Sequence, residues 1–233
     1  MGYSHYWYRP PVISDAIFQN IKRDFERLIL PLADIGVPLA GPSGNDEPEI
    51  TDDCIAFNGV AACGHPRNEE VVIPDPADDA RGIGPSSTAV VGDWYGWGVV
   101  IKHRCCNGDC AYESFTFPRI ADGNIQADDD YPETDGLVGD YTKTGFRPYD
   151  IAVTAALLIA KRHLKTQMVV HSNGSDAQWA DAKEICQRHL GYGAWFGIVE
   201  DPHMEVVPGR DNTQEEREVR IQLLIELDVN SLK

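Results

Sequence analysis

The sequence predicts an α+β protein: a mixed, mainly antiparallel β-sheet with about three helices packed on one face, plus a long loop-rich insertion. Three observations lead there. Apolar residues recur at helical spacing in separate segments, short aromatic and β-branched runs bounded by turn residues lie between them, and the stretch from Cys63 to Tyr95 is crowded with Pro, Gly and Asp.

Taken in order, YSHYWY at residues 3–8 is rich in β-forming aromatics and stops at Pro10 and Pro11, which marks a short first strand with His5 and Trp7 on one face and Tyr6 and Tyr8 on the other. Ser14 stands at the N-cap position of a helix whose apolar positions are Ile17, Phe18, Ile21, Phe25, Leu28, Ile29 and Leu32. Pro31 should distort its last turn and Gly36 should close it. In EITDDCIAFNG the alternation predicts one strand ending in a turn at Asn58 and Gly59. GVVIKHRCC (98–106) and YESFTFPR (112–119) flank Asn107 and Gly108 and read as a β-hairpin, and the acidic run from Asp122 to Asp140 reads as a solvated loop.

Downstream, RPYDIAVTAALLIAKRHL has Asp150 in its first turn and Lys161, Arg162 and His163 in its last, as the helix dipole favours, so the most buried helix is expected here. TQMVVHS reads as a strand, and SNGSDAQW leads into a helix ending near Leu190 and Gly191. AWFGIVE and MEVVPG are strand candidates, while EEREVRIQLLIEL leaves helix and strand open.

Composition narrows the function classes. With 233 residues, 42% of them hydrophobic and 24% charged, the chain can bury a core of its own, and one domain over 1–233 is expected, with 66–111 a peripheral insertion within it. A formal net charge of -17 repels phosphate and anionic lipid, so direct nucleic-acid binding is not expected. The acidity serves solubility or meets a basic host protein surface. The N-terminus lacks the charged and apolar regions of a signal peptide, and Tyr6 stands where myristoylation needs Ser or Thr. Ile151–Ala160, the longest apolar stretch, is half a membrane helix in length. The expected address is cytoplasmic, with the six cysteines reduced.

MGYSHYW at the start, EITDDCIAFNG, ESFTFPR, KTGFRPYDIAV and HSNG with a following Trp179 together resemble a family of small bacteriophage and prophage proteins without a known activity. The resemblance implies a phage-related origin and action within an infected bacterium, and carries over no catalytic residue. In similar proteins the FNG strand leads quickly through a Gly-His pair to the next strand, whereas here Gly64 and His65 stand far from Glu113, which is why 66–111 is taken as an insertion.

Several groups could carry chemistry. Cys63, Cys105, Cys106 and Cys110, with His65 or His103 as alternative ligands, offer the thiolates and imidazole of a structural zinc, although no CxxC pair is present; a disulfide or free thiols are the other readings. No other cofactor is expected. Ser172, Asn173, Gly174, Ser175 and Asp176, between a strand and a helix, could hold an anion or simply cap the helix. Lys143, Arg147, Tyr149 and Asp150 could recognise phosphate or carboxylate, or Arg147 could pair with a nearby Asp. His5 and Trp7 could line a pocket or belong to the core. No GxSxG, kinase or HxE…PCxxC set appears.

The leading expectation is a phage-derived, non-enzymatic accessory protein that binds and modulates a host or phage component. The alternatives are an enzyme or sequestering pocket for a small nucleotide-like or anionic ligand, and a virion-associated subunit that self-assembles. The pocket reading predicts that His5, Trp7, Lys143, Arg147 and the SNGSD segment converge on one concave site.

Overall fold

A computed structural model of the chain describes residues 3–64, 70–71, 93–96, 99–102, 104–106, 108–121, 136–200 and 222–226. In chain order its elements begin β1 (Ser4–Arg9), α1 (Asp15–Asp34), β2 (Leu39–Ala40), β3 (Glu49–Ile50), β4 (Cys54–Gly59), β5 (Glu70–Val71), β6 (Asp93–Gly96), β7 (Val99–Lys102) and β8 (Arg104–Cys105). They continue with β9 (Phe115–Pro118), β10 (Val138–Lys143), α2 (Asp150–Leu164), β11 (Val169–Ser172), α3 (Ala180–Leu190), β12 (Phe196–Glu200) and β13 (Gln222–Glu226). The architecture is α+β, and every strand pairing among the described residues is antiparallel.

The main sheet has the order β10-β1-β11-β13-β12. β1 lies inside it because it pairs with β10 (Tyr6 opposite Tyr141) and with β11 (Tyr6 opposite His171). The two-residue period of a strand then sends His5 and Trp7 to one face and Tyr6 and Tyr8 to the other, where Tyr6 stacks on Tyr141 with ring centroids 5.9 Å apart.

α1 buries Phe18, Ile21, Phe25, Leu28 and Leu32, one helical stripe, and leaves the opposite side to charged residues. Ser14 precedes it in extended conformation and its carbonyl accepts from the Phe18 N–H at 2.9 Å. The helix runs past Pro31 to Asp34. It ends where the Val37 N–H reaches the Leu32 carbonyl at 2.8 Å, over Gly36 at φ +82°, a left-handed conformation that suits glycine. α2 is buried on all sides from Asp150 to Ala160, the mark of a central helix, and it packs against both α1 and α3. A second sheet, β2-β4-β3 with β9 also on β4, closes the core with packed aromatics: Phe57 stacks 5.0 Å from Phe25 and lies tilted 5.0 Å from Phe115, and Trp7 lies tilted 5.2 Å from Phe115.

Three local expectations change. EITDDCIAFNG holds two paired strands, β3 and β4, with Glu49 opposite Ala56, and Asn58 and Gly59 end a strand rather than form a turn. Segments 98–106 and 112–119 do not form a hairpin together: β7 pairs with β6, β8 with β5, and β9 with β4. The cause lies between them, where the Cys110 N–H bonds the Val60 carbonyl at 3.0 Å and turns the chain onto β4. The end of the acidic run is strand β10, while 122–135 lies outside the described residues, as do MEVVPG and most of EEREVRIQLLIEL. Among the described residues no helix is long and apolar enough to cross a membrane.

Candidate functional site

The ends of β1, β10 and β11 meet the start of α2, and their polar side chains form one buried cluster. α2 places Asp150 at its first turn. Its Oδ1 accepts from His5 Nε2 at 2.8 Å and from the Thr144 hydroxyl at 2.6 Å, and its Oδ2 accepts from Arg104 Nε and Nη2 at 3.2 and 3.1 Å. Arg104 also binds the Asp181 carboxylate through Nη1, donates to the Gln178 carbonyl at 2.8 Å, and stacks over the Phe146 ring at 4.9 Å. This is the planar fork geometry in which guanidinium outperforms ammonium.

On the other side of His5, Nδ1 lies 2.9 Å from Ser172 Oγ. That oxygen accepts from the Gly174 N–H at 2.8 Å and from Trp179 Nε1–H at 3.1 Å, both of which can only donate. With those two bonds accepted, its own proton is available to His5 Nδ1, while His5 Nε2 faces the Asp150 carboxylate. The connectivity is Ser–His–Asp in series, yet Ser172, His5 and Asp150 are all 0% exposed. The Tyr3 ring meets His5 edge-on at 5.1 Å, and its hydroxyl lies beside Ser172 without a hydrogen bond of good geometry.

Electrostatics follow from burial set against pairing. Burial alone would raise the Asp150 carboxyl, but His5 and Arg104 reverse this and hold it below the usual carboxylate range. Burial would likewise lower the Arg104 guanidinium, and the Asp181 and Asp150 carboxylates push it above its ordinary value instead. Burial, then the nearby Asp150 charge, raises the Tyr3 phenol well above normal, so it stays protonated.

The other expected residues are divided between this cluster and elsewhere. Asn173 borders it, exchanging bonds with Ser4: its Oδ1 accepts from the Ser4 N–H at 3.2 Å, and its own N–H donates to the Ser4 carbonyl at 3.1 Å. Ser175 sits at the N-cap of the 3-10 turn Asp176–Trp179, its N–H bonded to Gln178 Oε1 at 2.8 Å. Trp7 is in the apolar core between Phe115 and Phe117. Tyr149 is buried and donates to the Glu113 carbonyl at 2.6 Å. Lys143 is at the surface beside Glu113 at 3.5 Å, and Arg147 pairs with Asp109 at 3.2 Å and lies over the Tyr112 ring at 5.1 Å. Of the residues expected to converge on one pocket, His5, Ser172 and Asn173 come together here, while Trp7, Lys143 and Arg147 lie elsewhere; Asp150, which joins them, was expected only in the separate group with Lys143, Arg147 and Tyr149.

A second group of reactive atoms lies near the end of β4. The Sγ atoms of Cys63, Cys106 and Cys110 are all within 4.8 Å of one another, with Cys63 and Cys106 3.5 Å apart. Burial and the neighbouring sulfurs push the Cys110 thiol strongly upward, and burial raises Cys106 as well. Cys105 belongs to β8 and its side chain is outside the described residues, as are His65 and His103.

Comparison with protein-family models, with curated proteins and with solved structures gives no significant match to this chain. Sequence reasoning missed Arg104 and Asp181, the far end of the cluster. The available signal was an arginine beside an apolar run, VVIKHR, in a segment expected at the surface, and an aspartate in the first turn after Trp179.

Proposed function

We propose that the chain is a non-enzymatic accessory protein that acts by binding a macromolecular component, with the His5–Asp150–Arg104–Asp181 cluster as the internal latch that gives it one fixed shape. The observation that carries this reading is burial with pairing: each of these four side chains is at most 2% exposed, and their bonds run to one another, to the Ser172 and Thr144 hydroxyls and to the backbone. Groups committed in this way hold segments together; a catalytic or ligand-binding set needs a face open to substrate. The net charge of -17 favours a basic protein surface as partner and disfavours nucleic acid. The resemblance to phage proteins supports an infected bacterial cell as the setting. Within this reading a structural zinc at Cys63, Cys106 and Cys110 is a staple rather than a reaction centre.

The serial Ser172–His5–Asp150 bonds favour one rival, an acyl-transfer enzyme whose nucleophile is uncovered by a movement of Trp179. Native mass spectrometry of protein purified gently from expressing cells, together with an ester-hydrolysis assay of the wild type and Ser172→Ala, separates the two. The accessory reading expects a stoichiometric bound protein and no hydrolysis dependent on Ser172. A bare chain whose esterase activity disappears in Ser172→Ala would overturn it.

A further inference from the structure

We propose that Cys63, Cys106 and Cys110 bind a zinc ion as thiolates, and that this metal fixes the foot of the chain segment that delivers Arg104 to Asp150 and Asp181. The second half rests on the reading of the buried cluster as a latch.

The donor set suits zinc. Zinc–thiolate bonds of about 2.3 Å in a tetrahedron separate neighbouring sulfurs by about 3.8 Å. The three Sγ atoms, 3.5 Å apart at one edge and nowhere beyond 4.8 Å, bracket that spacing and supply three of the four corners. Soft thiolates select zinc over the hard cations magnesium and calcium. Each thiol releases its proton to solvent as the metal binds, and no electron is transferred.

Main-chain bonds hold the segments that carry the sulfurs. The Asp109 N–H closes a turn on the Cys106 carbonyl at 3.0 Å, and the Cys110 N–H bonds the Val60 carbonyl at 3.0 Å, so sulfurs from two distant segments are brought to one point by main-chain bonds. Gly59 permits this approach: a Cβ there would stand 2.0 Å from the Cys110 carbonyl oxygen. Residue 104 lies two positions before Cys106. A metal that fixes Cys106 therefore fixes the path by which Arg104 enters the interior, whereas the three thiols without an ion, Cys63 half-buried and Cys106 and Cys110 buried, contribute only weak hydrogen bonds to the same end.

The test uses the full chain, purified without chelator, with Cys54→Ser as a control outside the trio. Expected are one equivalent of zinc in the wild type and in Cys54→Ser, a thiolate-to-metal charge-transfer band when cobalt replaces it, and at least a hundredfold weaker binding in Cys63→Ser, Cys106→Ser and Cys110→Ser. If a cysteine variant does not fold, thiol titration of the native wild type decides: chelation should expose three additional reactive thiols. A wild type with no zinc, or with a Cys63–Cys106 disulfide in its place, overturns the metal site. The link to Arg104 is read separately, by the fall in melting temperature on chelation in the wild type and in Arg104→Met. A smaller fall in Arg104→Met supports the link, and an equal fall overturns it while the zinc site stands. If the wild type holds no zinc but Arg104→Met is still strongly destabilised, the latch survives and the metal site fails.

Discussion

At the scale of single residues, Asp150 determines whether the interior polar cluster holds. It accepts from His5, Thr144 and Arg104 at 0% exposure, so removing its charge leaves a guanidinium buried with only part of its compensation. Asp150→Asn should cost about 3–5 kcal/mol in urea unfolding at neutral pH, the penalty of breaking a buried pair on one side. The pH dependence has a definite sign. Pairing with His5 and Arg104 outweighs burial and depresses the carboxyl in the folded state, so its contribution is fully present above the unfolded value of about 3.9 and is lost as pH falls through the lower folded value. The gap between wild type and Asp150→Asn should be open at about pH 5 and close in stronger acid. A gap that widens in acid would contradict this assignment. His5, Asp150 and Ser172 were legible in the sequence as candidate polar residues, but their contact was not, because bonds such as His5 to Ser172, 167 residues apart, leave no local periodicity.

At the scale of elements, the helices were the most legible part. The stripe of Phe18, Ile21, Phe25, Leu28 and Leu32 and the apolar run of α2 are local patterns, and burial follows from them directly. Strand partners were less legible because pairing is decided at a distance. Asn107 and Gly108 signal a hairpin, yet Cys110 is drawn to Val60 instead, and β10 was hidden by its acidic neighbourhood although Tyr141 and Thr142 alternate normally within it. The Gly59 contact makes this strand-to-turn junction testable. Gly59→Ala would set a methyl 2.0 Å from the Cys110 carbonyl oxygen, where neither backbone can yield cheaply. A loss of about 1–3 kcal/mol is expected, with increased reactivity of the Cys106 and Cys110 thiols toward a titrant. A neutral substitution would show that 104–112 is not held against β4 in solution.

At the scale of the whole molecule, a net charge of -17 means that exposed carboxylates repel one another more than the surface pairs, such as Lys22 with Asp52 at 3.0 Å, attract. Salt shortens the reach of that repulsion from about 30 Å at 0.01 M to about 3 Å at 1 M, so the melting temperature should rise across this range. A fall would mean that ion pairs dominate the balance. The position of β1 has a consequence for how the chain is made. Residues 4–9 lie between β10 and β11 and can pair with the first only once residues 138–143, and with the second only once residues 169–172, have left the ribosome. At about 5–20 residues per second, the aromatic segment SHYWYR waits many seconds as an unpaired edge, a time in which a chaperone or a like strand from a neighbouring nascent chain can engage it.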